Sequence, residues 1–144
     1  MAFRGTYLHT LDAKNRVTVP SQFRDQLAGR LVVARAIKPC VAIMTEQAFE
    51  SFTASFLADL NPLSEEAERL SHYSNAGSFD SDLDKAGRVM IPSKLVEYAD
   101  LAKEVSVIGN GERLELWNSE RWNDCQADVD ENLSQTVANI VNAG

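Results

Sequence analysis

LDAKNRVTVPSQF (residues 11–23) and LDKAGRVMIPSKL (residues 83–95) are two versions of one pattern. Aligned, they share Leu, Asp, Arg, Val, Pro and Ser at six of thirteen positions, 72 residues apart. The agreement runs outward on both sides. Tyr7 falls on Phe79, and after one inserted residue CVAIMTEQAF resembles RLELWNSERW, so that Met44 meets Trp117 and Phe49 meets Trp122. A period of 72 is longer than solenoid repeats, which run about 20–50 residues, and two copies make no array. Duplication of a whole small domain, at 5–48 and 77–121, is the simplest account.

Each copy reads as mainly β with short helices, an α+β arrangement. GTYLHTL is strand-like, with Tyr7, His9 and Leu11 on one face, and RVTVP alternates, with Val17 and Val19 opposite Arg16 and Thr18. LVVARAI and CVAIM supply two further strands, separated by a turn at Lys38 and Pro39. Between the pairs, PSQFRDQLAG is expected to be a short helix, opened by Pro20 and Ser21 and closed by Gly29. The second copy repeats the plan with FDSDL, RVMIP, SKLVEYA, EVSVIG and RLELW. A unit of about 45 residues buries too little surface to be stable alone, so each should complete its core with another copy. Apolar pairs such as Leu114/Leu116 and Phe52/Phe56 suggest more apolar face than one chain covers. Residues 49–76 form a connector in which Phe49, Phe52, Phe56 and Leu60 keep helical spacing until Pro62 starts a second helix. Residues 122–144 form an acidic, helical tail with Leu133, Val137, Ile140 and Val141 on one stripe, suited to docking on a neighbour.

DAKNR and DKAGR each lie between two strands. Their fourth positions, Asn15 and Gly87, hold the two residue types that best tolerate a left-handed backbone, so one turn with positive φ is expected in both. Asp12 and Asp84 are placed to accept backbone N–H groups and close the turn. Arg16 and Arg88 follow at a strand start, able to pair with the aspartate or reach outward.

The chain of 144 residues has a net charge of −7, unfavourable for a phosphate-rich partner when taken whole. The distribution differs. Residues 1–38 carry seven basic and two acidic groups, net +5, and the rest seven basic and nineteen acidic, net −12. Such asymmetry signals a charged partner for the first segment. Because Asp80, Asp82 and Asp84 surround the second motif, Arg88 is expected to be held by a carboxylate and to be structural, with Arg16 freer.

Other function classes find little support. His9 and His72 lack metal-ligand spacing, so no metal and no cofactor is expected. No GxSxG or phosphate-cradling glycine loop is present, and IGNGERL is most simply a hairpin turn, so the chain is expected not to be an enzyme. LVVARAI is too short for a membrane span and is broken by Arg35. MAFRGTYLHTLD lacks the order of a signal peptide, and Cys40 and Cys125 form no CxxC, which together suggest a cytoplasmic protein without a disulfide framework.

FRGTYLHTLDAKNRVTVP, the second LDKAGRVMIP and the helical connector together resemble the MraZ family, bacterial transcriptional regulators built from two SpoVT/AbrB-like domains that each carry an Asp-x-x-x-Arg motif. The resemblance covers nearly the whole chain, and departs from the family where Asn15 stands for the usual glycine. It implies swapped-hairpin half-barrels, a ring-shaped homo-oligomer, a cytoplasmic, nucleoid-associated location, and binding to tandem repeats in double-stranded promoter DNA of the cell-division and cell-wall gene cluster. Carried onto this chain, the DNA-binding residues are Lys14 and Arg16, with Arg4 added for its charge, and Asp12, Asn15, Asp84, Gly87 and Arg88 shape the motifs. Arginine suits this role because its planar fork meets phosphate or guanine with two hydrogen bonds. The alternative within the same fold is an antitoxin-like module that binds a protein through a disordered tail, for which DCQADVDENL is the candidate.

Overall fold

A computed structural model of the chain describes residues 2–143. The strands and α-helices follow in the order β1 (Phe3–Thr10), β2 (Arg16–Thr18), β3 (Leu31–Arg35), β4 (Val41–Thr45), α1 (Glu46–Leu57), α2 (Glu65–Ala76), β5 (Ser78–Ser81), β6 (Arg88–Met90), α3 (Ser93–Ala99), β7 (Glu104–Gly111), β8 (Arg113–Asn118) and α4 (Ser119–Ala143). Gly144, the last residue of the expected tail, lies outside the described residues. The fold is mainly antiparallel sheet with helices, an α+β fold built from two related halves.

The sheet order shows how the halves complete each other. Six strands run β1-β7-β8-β4-β3-β5, and β2 pairs with β6 as a separate ribbon. Exchanging β1 with β5, β7 with β3 and β8 with β4 returns the same order, so a pseudo-two-fold axis passes between β4 and β8. The first half's β1 is zipped to the second half's β7 from Phe3↔Gly111 to Thr10↔Glu104. The second half's β5 lies reciprocally on β3. Neither half owns a complete sheet, the physical solution for units too small to bury a core alone.

One face of the sheet holds the main core. Leu31, Val33, Val41, Ile43, Val105, Val107, Leu114 and Leu116 point inward, and Val17, Val19, Val89 and Ile91 of the ribbon segments close over them. Strand alternation produces this layer, since every second side chain faces the same way. Leu114 and Leu116, expected to need a partner chain, are fully buried here by the chain's own second layer. The opposite face carries Ala34, Ala42, Met44 and Trp117, under α1, α2 and α4. Glu115 is buried on that face. Burial pushes its carboxyl up, but donors from Trp117, Asn110 and Arg113, each at 2.9 Å, hold it below the usual glutamate range.

Equivalent helices start alike. Thr45 caps α1 by accepting from Ala48 N at 3.1 Å, and Asn118 accepts from Arg121 N at 3.0 Å at the head of α4. One expectation, and the disordered tail of the alternative reading, are corrected, while the tail is helical as expected. Residues 20–29 form no α-helix in the first half: Ser21–Phe23 is a 3-10 turn, and tight bonds continue as Leu27 N→Arg24 O and Ala28 N→Asp25 O. The Arg24 side chain folds back to donate to Val19 O at 3.1 Å, fixing this tighter path. The acidic DCQADVDENL is helical, lying inside α4, and is not a disordered tail.

Candidate nucleic-acid interface

The two motifs form the same turn, with equivalent hydrogen bonds of equal length. Asp12 Oδ1 accepts from Lys14 N and Arg16 N, both at 2.9 Å, and Asp12 Oδ2 accepts from Arg16 Nε at 2.8 Å. Asp84 Oδ1 accepts from Ala86 N and Arg88 N at 2.9 Å, and its Oδ2 accepts from Arg88 Nε at 2.8 Å. The left-handed position expected at Asn15 and Gly87 is present, with φ of 58° and 77°. Each aspartate thus bridges the turn's backbone and the arginine at once. The backbone N–H of Arg16 first, then its guanidinium and the N–H of Lys14, hold the Asp12 carboxyl below the usual carboxylate range. Arg88 and Ala86 do the same for Asp84.

The turns also interlock. Val19 N donates to Gly87 O at 2.9 Å, and Ile91 N donates to Asn15 O at 2.8 Å. These bonds are related by the pseudo-two-fold axis and flank the β2–β6 ribbon, where Arg16 faces Met90, Val17 faces Val89 and Thr18 faces Arg88. Val17 and Val89 are buried, so alternation sends Arg16, Thr18, Arg88 and Met90 to the opposite, outer face. Both guanidiniums spend Nε on aspartate, and among the described residues their terminal nitrogens have no hydrogen bond within the chain. Exposed Lys14 and Lys85 sit in the turns at the two ends.

The expected difference between the arginines is not found in their geometry, since each is held by its own aspartate in the same way. Asp80 and Asp82 do not pair with Arg88. They line a surface groove with Arg24 and Arg30. The sequence placed these acids near Arg88 by number, but β5 carries Asp80 along the edge of β3, and Asp82 follows just past the strand's end. Arg4 is also separate. It lies near the start of β1 opposite Asn110, about 20 Å along the strand from Thr10 and the turn that holds Lys14 and Arg16.

Two residues of this surface carried no sequence signal. Lys85 sits one position earlier in its turn than Lys14 does, so alignment hid its equivalence. Arg24 lies over the other half's turn: a Cβ placed on Gly87 would come within 2.3 Å of Arg24 Nε. The residue equivalent to Arg24 is Val96, a much shorter side chain. That difference explains why one turn requires glycine while the other accommodates Asn15. His9, on β1 of the first half, is partly buried. Burial first, then the cationic Arg24, lowers its pKa below the usual imidazole range.

The family model described as "MraZ protein, putative antitoxin-like" matches residues 2–72 and 76–143. The chain is 35% identical over 139 residues to "Transcriptional regulator MraZ" of Leuconostoc citreum, covering 96% of each protein. It is 32% identical over 142 residues to the protein of that name from Halothermothrix orenii, covering 99% of each. It is 38% identical over 120 residues to the one from Lachnoclostridium phytofermentans, covering 83% of this chain and 84% of the relative. The chain belongs to the MraZ family. No described helix is long and apolar enough to cross a membrane.

Proposed function

We propose that this member of the MraZ family is a sequence-specific DNA-binding transcriptional regulator that enters the major groove with the outer face of its β2–β6 ribbon. The observation that carries the reading is the pair of interlocked turns on one ribbon, each presenting an arginine whose terminal nitrogens are unspent. A two-stranded ribbon fits the major groove, and a guanidinium pre-oriented by an aspartate loses little freedom on meeting guanine or phosphate. Lys14 and Arg16 take the roles expected for them, and Lys85 and Arg88 join from the second half. Arg4 lies outside this footprint. The relatives' name, transcriptional regulator, supports the same reading.

The finer reading is a ring-shaped homo-oligomer that binds tandem promoter repeats of the cell-division and cell-wall gene cluster in the nucleoid. One ribbon offers few positive groups, so many linked copies on repeated sites raise affinity through effective concentration. Self-assembly is supported by surface that one chain leaves open. Along the second half of α4, Leu133, Val137, Ile140 and Val141 are exposed, Ile140 at 68%. Beside the first half of α4, a cavity of about 420 Å³ between helices and sheet is lined by Met44, Phe49, Phe52, Phe56, Leu70 and Trp117. A stripe and a groove at different places on one chain favour head-to-tail contact, the kind that closes rings. Footprinting on DNA upstream of the chain's own gene tests the reading. Protected, regularly spaced repeats are expected, and an absence of binding to that DNA at low salt would overturn it.

A further inference from the structure

The ribbon's scaffold is two-fold symmetric, but its outer face is not. Arg16 and Arg88 are equivalent and identically held. Thr18 and Met90 are the other equivalent pair, and they differ in chemistry. The register sets Met90 directly across from Arg16, and Thr18 directly across from Arg88. One end of the ribbon therefore presents an arginine beside a thioether, and the other an arginine beside a hydroxyl. Two residues along a strand span about 6.6 Å, close to two base-pair steps of about 3.4 Å. The two ends can thus address base pairs two steps apart on one duplex.

Met90 is 57% exposed although its neighbour Val89 is fully buried, so its side chain is not engaged in the core. A single exposed apolar residue is ordinary. This one lies at the Arg16 end of a face otherwise made of two arginines and a threonine. In the major groove the apolar feature a base pair offers is the thymine C5-methyl, whereas the remaining edges carry donors and acceptors. A methionine there rewards the methyl, with a flexible and polarisable side chain that adapts to its position. It cannot satisfy an amino or carbonyl edge that it covers. Threonine, with a hydroxyl and a methyl, accepts either kind of edge.

We infer that Met90 is a specificity-determining residue, selecting thymine at the base pair facing the Arg16 end of the ribbon, while Thr18 leaves the equivalent position at the Arg88 end permissive. A pseudo-symmetric protein then reads a non-palindromic site, and a tandem array of such sites has a direction. The inference rests on the proposal that the ribbon binds DNA.

The test uses duplexes enriched by the parent protein from a random-sequence pool, with each thymine replaced in turn by uracil, which lacks only the methyl. One uracil position per site is expected to weaken binding about fourfold, the value of one buried methyl. Met90→Thr should erase that sensitivity, and Met90→Leu should keep it. Thr18→Met should create a second sensitive position across the pseudo-dyad. These side chains point away from the core, so thermal melts should match the parent. A uracil profile unchanged by Met90→Thr, or flat in the parent, would overturn the inference and leave the DNA-binding reading standing. Enrichment of no duplex at all would overturn both.

Discussion

Replacing Gly87 by alanine separates two effects that meet at one atom. The backbone there has φ of 77°, in the left-handed region where a Cβ is strained. That strain costs about 1–2 kcal/mol for an L-residue. The new Cβ would also lie 2.3 Å from Arg24 Nε, so the guanidinium must leave. Its hydrogen bond to Val19 O, at 3.1 Å, goes with it, a further loss of about 1 kcal/mol. Gly87→Ala is therefore expected to destabilise by about 2–3 kcal/mol, a fall in melting temperature of about 6–12 °C for a chain of this size. Thermal unfolding followed by circular dichroism measures it, with chain concentration held fixed because assembly shifts apparent stability. A double-mutant cycle isolates the second effect. In an Arg24→Ala background only the backbone strain remains, so Gly87→Ala should cost about 1 kcal/mol less than in the parent. At the equivalent turn, with Val96 in place of Arg24, Asn15→Gly should be neutral or slightly stabilising. Equal melting temperatures for Gly87→Ala and parent, or a cycle that adds with no coupling, would refute the account of Arg24 lying over the turn.

Arg16→Ala and Arg88→Ala should each weaken DNA binding at least tenfold, and each should lower the salt slope by about 0.9 for every phosphate that is no longer neutralised. Gel shifts across a salt series check this, and full retention by Arg88→Ala with an intact fold would restore the one-motif reading. The folded-state pKa values of Asp12 and Asp84 lie below their ordinary values, so the stability these groups contribute is present at neutral pH and is lost as pH falls below about 4 toward the folded values. Acid melts of Asp12→Asn and Asp84→Asn should accordingly show a shallower loss of stability on that limb than the parent. Light scattering should give the parent a mass several times the 15.9 kDa of one chain. Ile140→Glu, which places a charge on the open stripe of α4, should shift that mass downward, and a monomeric parent at micromolar concentration would contradict the assembly proposal.

Much of the fold was legible because duplication repeats its signals. Two Asp-x-x-x-Arg turns, two proline stops and two sets of alternating strands agree with one another, and agreement across copies outweighs the ambiguity of any single short strand. Asn15 and Gly87 announced a left-handed turn, since few other residues adopt one without strain. The helix expected at residues 20–29 failed because its periodicity was local, whereas the 3-10 path is held by Arg24 reaching back to Val19 O. Leu114 and Leu116 looked unpartnered because the covering layer comes from residues far away in the chain.

The candidate interface divides along the same line. Sequence alone determined the chemistry of each motif: an aspartate that closes the turn, a position with positive φ, and an arginine at the strand start. Each depends on neighbours within five residues, whose geometry the local backbone dictates. Only the tertiary structure decided where the motifs point. Numbering placed Asp80 and Asp82 beside Arg88, but Asp80 follows β5 along the edge of β3 and both line a groove with Arg24 and Arg30. Numbering set Arg16 and Arg88 72 residues apart, but the ribbon register joins them on one face. The cause is the exchange of β1 and β5 between halves. Each half lends its edge strand to the other so that both bury one core, and that exchange brings two distant turns together as a single surface.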